Sequence, residues 1–535
     1  MHDPSDVIGA AWLARRYGLV LVQPLVVESR IAGRRSTHVA QPTTVESHVE
    51  AMRPPPTLRG HLSFHLKHEV AHFELLSRLF ACCDPAELAA WVADEPTGQY
   101  ARRAAFLYEF FSGRQLPVPS GLGGSYHDAI GSRDLIVANP EQSVFDRRWR
   151  IRDNMPGTRA FCPMVVRSAA GAAALDLDVR GLIHDLEVEF GTDLLMRSAV
   201  WMTLRESRSS FALEGEADKT DRIKRFADVL ARRTGQGVHP PLDDAALAAL
   251  QREILGQRTT VRRFGLRQSP VFVGESVRYQ EIVHYIAPPG EDLAAMLAGL
   301  QVFLDRTQGQ SPLMRSAVAA FGFVYIHPLA DGNGRVHRFL VNDVLRRDGM
   351  IQAPMILPVS ALITSDAAER RAYERILDVV SQPLMRVLAD SYRFVPTPIE
   401  YPDGIGSNFV FEGVETARPV WRHLDLSRHV AYVADLVQRT IREDMLEEAR
   451  YLRSHAQARA AIKDIVEMPD AQLDRVIRSV AANQGRLSNA MAGEMPLLDD
   501  PGIWQAIVAA VGRAFAIGPE SDTAERYDDR RKPLP

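Results

Sequence analysis

Cysteine is scarce in this chain, which contains three among 535 residues: Cys82, Cys83 and Cys162. Three cysteines cannot build the multi-bridge framework of a small secreted domain, and their spacing does not match a cysteine-based zinc cluster. Few cysteines without a disulfide pattern are typical of proteins in a reducing compartment. We therefore expect a cytoplasmic protein.

Long apolar runs and a strong excess of one charge are also missing. The apolar stretch at residues 18–27 is interrupted by Gln23 and Pro24 and is too short to span a bilayer. The formal net charge of −4 gives no reason to expect bulk binding of nucleic acid. With 46% hydrophobic and 24% charged residues, the composition is that of a soluble globular protein, and the length predicts about three domains.

One stretch, residues 326–339, concentrates chemically competent groups and reads IHPLADGNGRVHRF. Apolar residues recur at helical spacing before it, in residues 313–325, and after it, in residues 339–345. The stretch is therefore predicted to be a loop between two helices, with its glycines at the start of the second helix. Unpaired N–H groups and the positive end of the helix dipole make such a start an anion site, which glycine lets a phosphate approach closely.

The side chains of this loop suit a bound polyphosphate. Arg335 and Arg338 can hold phosphate oxygens through forked, charge-assisted hydrogen bonds. Asp331 is a hard oxygen ligand suited to Mg²⁺ beside a polyphosphate. His327 is the group here that can take a proton near neutral pH. The alternative without chemistry is a helix–loop–helix with a Gly-Asn-Gly turn and surface arginines.

The pattern HPxx[DE]GNGRxxR resembles the signature loop of the Fic (filamentation induced by cAMP) family, and all eight defined positions match in this chain. The departures are Leu329, where the family usually has phenylalanine, and His337, where glycine is frequent. Leu329 is expected to fill the core, and His337 is expected beside the phosphates, where it would alter nucleotide preference. The resemblance implies a mainly α fold: a Fic-type helical core with a small β-hairpin flap, flanked by helical N- and C-terminal domains.

The resemblance also implies a reaction, the transfer of AMP from ATP to a hydroxyl of a target protein. In that reaction His327 deprotonates the hydroxyl, whose oxygen attacks the α-phosphate, and Asp331 holds Mg²⁺ between the α- and β-phosphates. The implied phosphate-binding residues are Gly332, Asn333 and Gly334 for the α- and β-phosphates, and Arg335 and Arg338 for the β- and γ-phosphates. The related Doc proteins, which phosphorylate instead, carry lysine in place of the second glycine, so Gly334 favours adenylylation here.

A second motif lies N-terminal to the loop, where Ser210, Glu214 and Gly215 match [ST]xxxE[GN]. It resembles the inhibitory motif of many Fic enzymes, and the resemblance implies that Glu214 pairs with Arg338 and so prevents ATP from binding in line for attack. A partly buried pair of this kind is worth roughly 1.5–3 kcal/mol, enough to lower the competent population roughly ten- to a hundred-fold. The plain alternative is a helix end capped by Gly215.

Residues 267–286 read RQSPVFVGESVRYQEIVHYI and predict a small β-hairpin. The hairpin resembles the flap of the family, to which the backbone of a target protein adds as an extra strand. Phe272 and Val273 are the predicted docking edge. A plain surface hairpin is the alternative.

The N-terminal part contains a different catalytic motif. Residues 61–80 predict one amphipathic helix in which His68, Glu69 and His72 match HExxH, the zinc-protease signature. No third ligand follows at the spacing of the extended form of that motif. A histidine-lined packing face is therefore the favoured interpretation.

The predicted domains are a mostly helical N-terminal extension at 1–170, a Fic catalytic domain at 171–395 and a helical C-terminal domain at 396–535. Residues 396–407 are rich in proline and glycine and are predicted to be a linker. Within the C-terminal domain, residues 484–490 are a weak candidate for the turn of a helix-turn-helix, and the charged residues 521–535 are predicted to be disordered.

The main prediction is thus an AMP transferase restrained by its own Glu214, with ATP as substrate, Mg²⁺ as cofactor and a target protein bound at the flap. A homodimer is left open, and no membrane is involved. One rival uses the same pocket to remove AMP from a modified target, with Glu214 orienting a water molecule. The other is a regulator that binds DNA or a partner and uses the loop only to sense a nucleotide.

Overall fold

Helices dominate the computed structural model, which describes residues 6–516 except 41–42, 119–122, 168, 217–218, 258, 260 and 279. The fold is mainly α, as predicted, and small sheets of two to four strands lie among the helices. Throughout these described residues, every helix falls short of the length and apolarity that a membrane span requires. The tail at 521–535, predicted to be disordered, lies outside the described residues.

The N-terminal part combines a helical layer with two sheets. Its elements are β1 (Val7–Ile8), α1 (Gly9–Arg16), β2 (Val27–Ile31), β3 (Ser36–Ala40), β4 (Thr43–His48), α2 (Leu58–His68), α3 (Phe73–Cys82), α4 (Pro85–Asp94), α5 (Gln99–Ser112), β5 (His127–Asp128), β6 (Val144–Asp146) and β7 (Ile151–Asp153). The first sheet has the order β1-β2-β4-β3 with β2 and β4 parallel, and the second has the order β5-β7-β6. This region therefore contains more β-structure than the predicted helical extension.

The helix predicted at residues 61–80 is instead two helices, α2 and α3, which meet at the HExxH motif. α2 ends at His68, and Glu69 leaves the helix with φ −114° and ψ 166° because its buried carboxylate accepts a hydrogen bond from Ala10 N (2.8 Å). His72 precedes α3 and caps it with its ring nitrogen. The motif residues thus do not share one helix face, and the described residues hold no group of three or more His, Cys, Asp and Glu that could bind a metal ion.

The central part of the chain carries the predicted loop and flap. Its elements are α6 (Ala169–Leu175), α7 (Val179–Phe190), α8 (Thr192–Leu213), α9 (Thr220–Arg233), α10 (Asp244–Leu255), β8 (Phe272–Val277), β9 (Gln280–Ile286), α11 (Gly290–Arg306), α12 (Pro312–Ile326), α13 (Asn333–Arg347), α14 (Val359–Ile363), α15 (Ala367–Leu388), β10 (Tyr392–Glu400), β11 (Gly406–Phe411), α16 (Val414–Arg422) and α17 (Ser427–Arg439). β8 and β9 pair as an antiparallel hairpin, as predicted.

α12 is the buried axis of this part. Its residues are mostly small or apolar on all faces, so the helix gains most by being surrounded, and it packs against α11, α13 and α17. Its start is defined by Ser311, whose hydroxyl accepts from Met314 N (3.5 Å), followed by Pro312 at the first helical position. The burial of α12 fixes its C-terminal end, and with it the loop that follows.

The prediction of a linker at residues 396–407 is wrong, because these residues belong to the β10–β11 hairpin. The register of this hairpin shifts between Phe394 and Ile399, where Pro396 and Pro398 lie. Proline is tolerated in a strand at such an irregularity, since no ladder hydrogen bond is lost there. The domain boundary predicted at 395/396 also lies inside one cluster of buried apolar residues, which includes Phe409 and continues to Ala449.

The C-terminal part is a separate packing unit. A π-helical turn, Thr440–Met445, continues α17 into the last elements, which are α18 (Leu446–Lys463), α19 (Asp470–Ala482), α20 (Asn489–Glu494) and α21 (Pro501–Ala516). Their buried apolar residues, from Ala458 to Ala514, form a cluster of their own. We therefore propose that the central unit extends to about residue 450. Of residues 484–490, the first five lie between α19 and α20, and the last two begin α20, which has only six residues.

Candidate active site

His327 ends α12 in the left-handed backbone conformation, with φ 50° and ψ 56°. Its ring Nδ1 lies 3.1 Å from the Val324 carbonyl oxygen, to which it can only donate, so Nδ1 carries the proton of the neutral ring. Burial lowers the pKa of His327 to about 4, the Arg267 guanidinium acts in the same direction, and the bond to Val324 opposes them. The imidazole is thus neutral at physiological pH and can accept a proton at Nε2.

The loop after His327 is closed by the side chain of Asn333. Its Oδ1 accepts from Leu329 N (2.9 Å), and its Nδ2 donates to the Leu329 carbonyl (2.7 Å). Leu329 is fully buried, as predicted. Gly332 precedes α13 with φ +93°, a conformation that glycine adopts without steric cost. The Asn333 side chain therefore fixes the shape of the loop, and the main-chain N–H groups remain to contact an anion at the start of α13.

Arg335 and Arg338 lie on adjacent turns of α13, and both are almost completely buried. The Arg335 guanidinium lies 5.0 Å from the centre of the Phe211 ring on α8. Arg338 donates from Nε to the Ser210 hydroxyl (2.7 Å) and from Nη2 to the Ser210 carbonyl (3.1 Å). The C-terminal end of α8 is thereby held against the first turns of α13.

Glu214, which follows α8, forms ion pairs with both arginines. Arg338 Nη2 donates to Oε1 (2.6 Å), and Arg335 Nη2 lies 3.0 Å from Oε2. The sequence predicted the first pair but not the second. Burial lowers the pKa of Arg338, but the attraction of Glu214, with smaller contributions from other groups, outweighs burial and the net shift is upward. A single carboxylate thus occupies both cations at the start of α13.

The position of Glu214 depends on how α8 ends. Gly215 has φ +74°, its N–H donates to the Ala212 carbonyl (3.1 Å), and Glu216 N donates to the Phe211 carbonyl (2.9 Å). These two bonds form a Schellman cap, for which a left-handed glycine is the usual residue. The cap that was the plain alternative for Gly215 is therefore present together with the ion pairs of Glu214.

Glu216 is a site residue that the sequence motif did not indicate. Its Oε2 lies 3.3 Å from Arg335 Nη1, and its Oε1 accepts from Arg222 on α9 (2.6 Å). It follows the motif by one residue and has no periodic or spacing signal of its own. The Schellman cap turns it towards the same guanidinium that Glu214 contacts.

Glu206 is a second residue that sequence reasoning missed. It lies on α8, four residues before Ser210, and is completely buried. Its carboxylate accepts from the hydroxyl (2.5 Å) and the N–H (2.7 Å) of Ser360 at the start of α14. Burial raises the pKa of Glu206 to about 7, against the effect of both Ser360 bonds. The residue fastens the middle of α8 to the core beneath the site.

Gly334 leaves the space that Glu214 uses. A Cβ atom at position 334 would lie 2.3 Å from Glu214 Oε1 and 3.1 Å from Arg338 Nη1. Side-chain carbon atoms do not approach oxygen that closely, so any other residue at this position would displace the carboxylate. Glycine here therefore serves the ion pairs as well as an approaching anion.

Asp331 lies at the rim of the site. Its Oδ1 is 2.9 Å from Arg335 Nη2, and its side chain is 47% exposed. Gln251 on α10 donates to its main-chain carbonyl (2.8 Å), which fixes the backbone there. A single accessible carboxylate suits Mg²⁺, which keeps several water ligands and takes others from phosphate, and does not suit a metal that needs a full set of protein ligands.

The two residues of the predicted docking edge have different environments. Phe272 packs against Phe394 and Phe409 of the β10–β11 hairpin, with ring centroids 5.5 and 4.9 Å away. Val273 is 41% exposed. Within the described residues, β8 and β9 pair only with each other. The flap is thus anchored by Phe272 and offers Val273 to solvent.

The expectation that His337 lies beside the phosphates is wrong. His337 is 2% exposed, and its Nδ1 donates to the Ala320 carbonyl on α12 (2.8 Å). Its ring packs against Phe321, and burial lowers its pKa to about 3. The residue lies on the face of α13 that packs on α12, so it fills the core where the resembled pattern often has glycine.

Comparison with known families agrees with the geometry of the site. Residues 241–345 match the family model described as Fic/DOC family. This chain contains a Fic domain. The matched segment begins just before α10 and ends within α13, so it includes the flap, His327 and both arginines. Ser210 and Glu214 lie N-terminal to the matched Fic segment.

Two curated relatives of the Fic domain bear the name "Protein adenylyltransferase Fic". The protein from Drosophila grimshawi is 31% identical over 148 residues, which are 26% of this chain and 26% of that protein. The protein from Culex quinquefasciatus is 29% identical over 285 residues, which are 50% of each. The chain thus spans between a quarter and half of these relatives' length. A crystal structure of a Fic family protein from Desulfovibrio desulfuricans G20 has 17% identity and a TM-score of 0.38, covering 60% of this chain and 90% of that chain.

Proposed function

We propose that this protein transfers AMP from ATP to a hydroxyl group of a target protein and that Glu214 restrains the reaction. The observation that carries the proposal is the Glu214 carboxylate held between Arg335 and Arg338 at the start of α13. Two buried guanidinium groups beside a helix N-terminus form a site for a doubly anionic group, and a carboxylate is the intramolecular substitute for it. The names of the relatives support adenylyl transfer as the reaction.

The proposed roles follow from the groups that become available when Glu214 leaves. The phosphates of ATP would bind the main chain at Gly332, Asn333 and Gly334, and Arg335 and Arg338 would bind the terminal phosphates. Asp331, with its accessible carboxylate, would hold Mg²⁺, which neutralises phosphate charge when bound. Arg335 and Arg338 would thus bind either the Glu214 carboxylate or the phosphates of the nucleotide.

The proposed chemical step uses His327 as general base. Nε2 takes the proton of the target hydroxyl, the oxygen forms a bond to the α-phosphorus, and the bond from that phosphorus to the departing pyrophosphate breaks. The neutral ring supports this role because an imidazolium could not take the proton. The Val324 carbonyl, which holds Nδ1–H, orients the ring and stabilises the positive charge that it gains.

The target is proposed to bind as an extra strand on the flap. The β8–β9 hairpin supports this because its outer edges have no strand partner within the described residues. Val273 is the exposed side chain at that position, and Phe272 supports the strand from the core side.

The test is the transfer of label from ATP marked at the α-phosphate. Glu214→Gly protein incubated with ATP and Mg²⁺ should gain an adenylyl group, or place one on a protein of the host extract, and intact mass spectrometry should show the added mass. Wild-type protein should show much less. The matched control is His327→Ala in the Glu214→Gly background, which should lower transfer by about 10²–10⁴-fold and leave ATP binding intact. Absence of label on every protein tested with Glu214→Gly contradicts the proposal.

Removal of AMP from a modified target is the second candidate, and the resting position of Glu214 favours it. A carboxylate held in the pocket is a group that could orient a water molecule towards a phosphodiester. Incubation of wild-type protein with an AMP-modified protein separates the two reactions. Release of AMP that Glu214→Gly abolishes would favour removal, whereas transfer that Glu214→Gly increases would favour addition.

A further inference from the structure

Arg267 is a buried cation that the proposed reaction does not use. It lies between α10 and β8, and it is 1% exposed. Its guanidinium donates to the main-chain carbonyls of His327 (2.8 Å), Ser269 (2.9 Å) and Pro288 (2.6 Å). In the part of the chain that the structure describes, no carboxylate forms an ion pair with it. Burying a guanidinium is costly unless it is hydrogen-bonded, and each of its three nitrogen atoms donates to a main-chain carbonyl.

The three carbonyls belong to three different segments of the site. His327 carries the imidazole, Ser269 lies just before β8, and Pro288 lies just after β9. The main chain adds to this connection, because Arg267 N donates to the Pro328 carbonyl (3.0 Å). One side chain thus joins both ends of the flap to the residue that is proposed to take the proton.

His327 needs such support because of its backbone conformation. A left-handed conformation is uncommon for residues other than glycine and persists where surrounding contacts hold it. The Arg267 guanidinium donates a hydrogen bond to the main-chain carbonyl of His327, and the His327 ring donates one to the Val324 carbonyl. A change in the carbonyl direction would rotate the Cα–Cβ bond and move Nε2.

Asp403 holds the segment that carries Arg267. It lies in the turn of the β10–β11 hairpin and is 3% exposed. Its Oδ2 accepts from Gln268 N and Ser269 N, both at 2.7 Å. The second hairpin, which also packs on Phe272, is therefore fastened to the two residues that follow Arg267.

We infer that Arg267 is a positioning residue, which holds His327 in the conformation for proton transfer and couples it to the flap, with Asp403 supporting Arg267. The inference rests on the proposed AMP transfer and names a residue outside the signature loop on which its rate depends. A target strand that binds the flap acts on the same hydrogen-bond network as the imidazole. Binding at the flap and orientation of His327 are therefore linked.

The inference has an electrostatic readout that a purely structural role would not give. After burial itself, the Arg267 guanidinium is the charged group that lowers the pKa of His327, and the Val324 carbonyl opposes both. Replacement of Arg267 by an uncharged residue should therefore raise the pKa of His327. The acid limb of the rate profile should move to higher pH by the same amount.

The experiment uses the full chain in the Glu214→Gly background and compares Arg267→Met, Arg267→Lys and Asp403→Asn. The matched control is Arg102→Met, since Arg102 is also 1% exposed and donates to main-chain carbonyls, of which that of Ser125 is at 2.9 Å, but lies in the N-terminal part. Arg267→Met should lower kcat about 10²-fold with little change in KM for ATP, because a displaced catalytic group costs rate rather than nucleotide binding. Arg267→Lys and Asp403→Asn should lose about ten-fold. Arg102→Met should lose melting temperature without a loss of kcat.

The inference is wrong if Arg267→Met lowers kcat no more than Arg102→Met does, or if the loss lies in KM alone. Arg267→Lys and Asp403→Asn decide the matter if Arg267→Met does not fold, and unchanged kcat in both contradicts the inference. If the Glu214→Gly parent transfers no AMP, the proposed function fails, and NMR titration of the His327 ring still tests Arg267. A His327 pKa that rises in Arg267→Met but not in Arg102→Met supports the contact between Arg267 and His327, and an unchanged pKa in Arg267→Met overturns it.

Discussion

Ser210 and Glu214 divide the Arg338 guanidinium between them. Arg338 Nε donates to the Ser210 hydroxyl. Nη2 donates both to the Ser210 carbonyl and to the Glu214 carboxylate. Hydrogen bonds to a buried charged group contribute more than neutral ones, and their loss leaves the donor unsatisfied. The contact that we propose to be inhibitory is therefore shared between a charged and a neutral residue at one helix end.

Ser210→Ala should weaken this contact without removing it. The substitution leaves Arg338 Nε without its buried acceptor, which costs roughly 1.5–3 kcal/mol of the resting arrangement. We expect AMP transfer above the wild-type rate by roughly ten-fold, and below that of Glu214→Gly. Labelling with ATP marked at the α-phosphate measures the rates. Ser209→Ala, one residue earlier on α8, is the control and should leave the rate unchanged, and a Ser210→Ala rate equal to wild type would contradict the prediction.

Much of the site could be predicted from individual residues, but not all of it. The loop, its two helices and the pairing of Glu214 with Arg338 follow from spacing and from a resembled motif. The second pair, with Arg335, and the contribution of Glu216 depend on where the end of α8 lies over α13. That placement results from packing between helices distant in sequence, to which local patterns are blind.

Two elements were predicted wrongly from local sequence patterns: the linker at residues 396–407 and the single helix at residues 61–80. Residues 396–407 have the composition of a linker, yet they form part of the β10–β11 hairpin because Pro396 and Pro398 lie at its register shift. Residues 61–80 have the period of one helix, yet the chain breaks at Glu69. There a tertiary hydrogen bond to Ala10 N outweighs helix propensity.

Glu69→Gln should destabilise the N-terminal part and leave metal content unchanged. Oε2 of the buried carboxylate accepts from Ala10 N and lies 2.8 Å from His65 Nδ1, whereas Oε1 is buried without a hydrogen-bond partner among the described residues. An amide whose oxygen takes the place of Oε2 puts its N–H group at the Oε1 position, where the donor is left unsatisfied. We expect a loss of about 1–3 kcal/mol in the free energy of unfolding. Glu87→Gln, an exposed position on α4, should stay within about 0.5 kcal/mol of wild type. Urea unfolding measures both. Stoichiometric zinc that the wild-type protein binds and that a variant with both His68→Ala and His72→Ala loses would restore the protease interpretation.

The whole molecule contains histidines that folding keeps neutral. Burial lowers the pKa of several of them below the usual 6.5, and four examples are His327, at about 4, and His337, His423 and His429, at about 3. All four lie in the central unit or at its contact with the N-terminal part. Below pH 6.5 the unfolded chain binds protons at these positions and the folded chain does not.

The stability of the protein should therefore fall on acidification before most carboxylates take up protons. The free energy of unfolding should have its full value above about pH 6.5. Between pH 6.5 and its own folded pKa, each buried histidine should lower the free energy of unfolding by up to about 1.4 kcal/mol per pH unit. Urea midpoints at pH 7.5, 6.5 and 5.5 measure this slope. His423→Gln should reduce the slope, and His184→Gln, at an exposed position, should leave it unchanged. A flat profile down to pH 5 would show that these rings are protonated in the folded state.

The space at position 334 has a consequence for how such proteins change over generations. Because a Cβ atom there would overlap the Glu214 carboxylate, a side chain at 334 would force that carboxylate to shift from its place between the two arginines. In a descendant that acquired a side chain at 334, the proposed restraint by Glu214 would therefore be weakened in the same mutational step. The anion site and its proposed control would thus be inherited together, because both depend on the same missing methyl group.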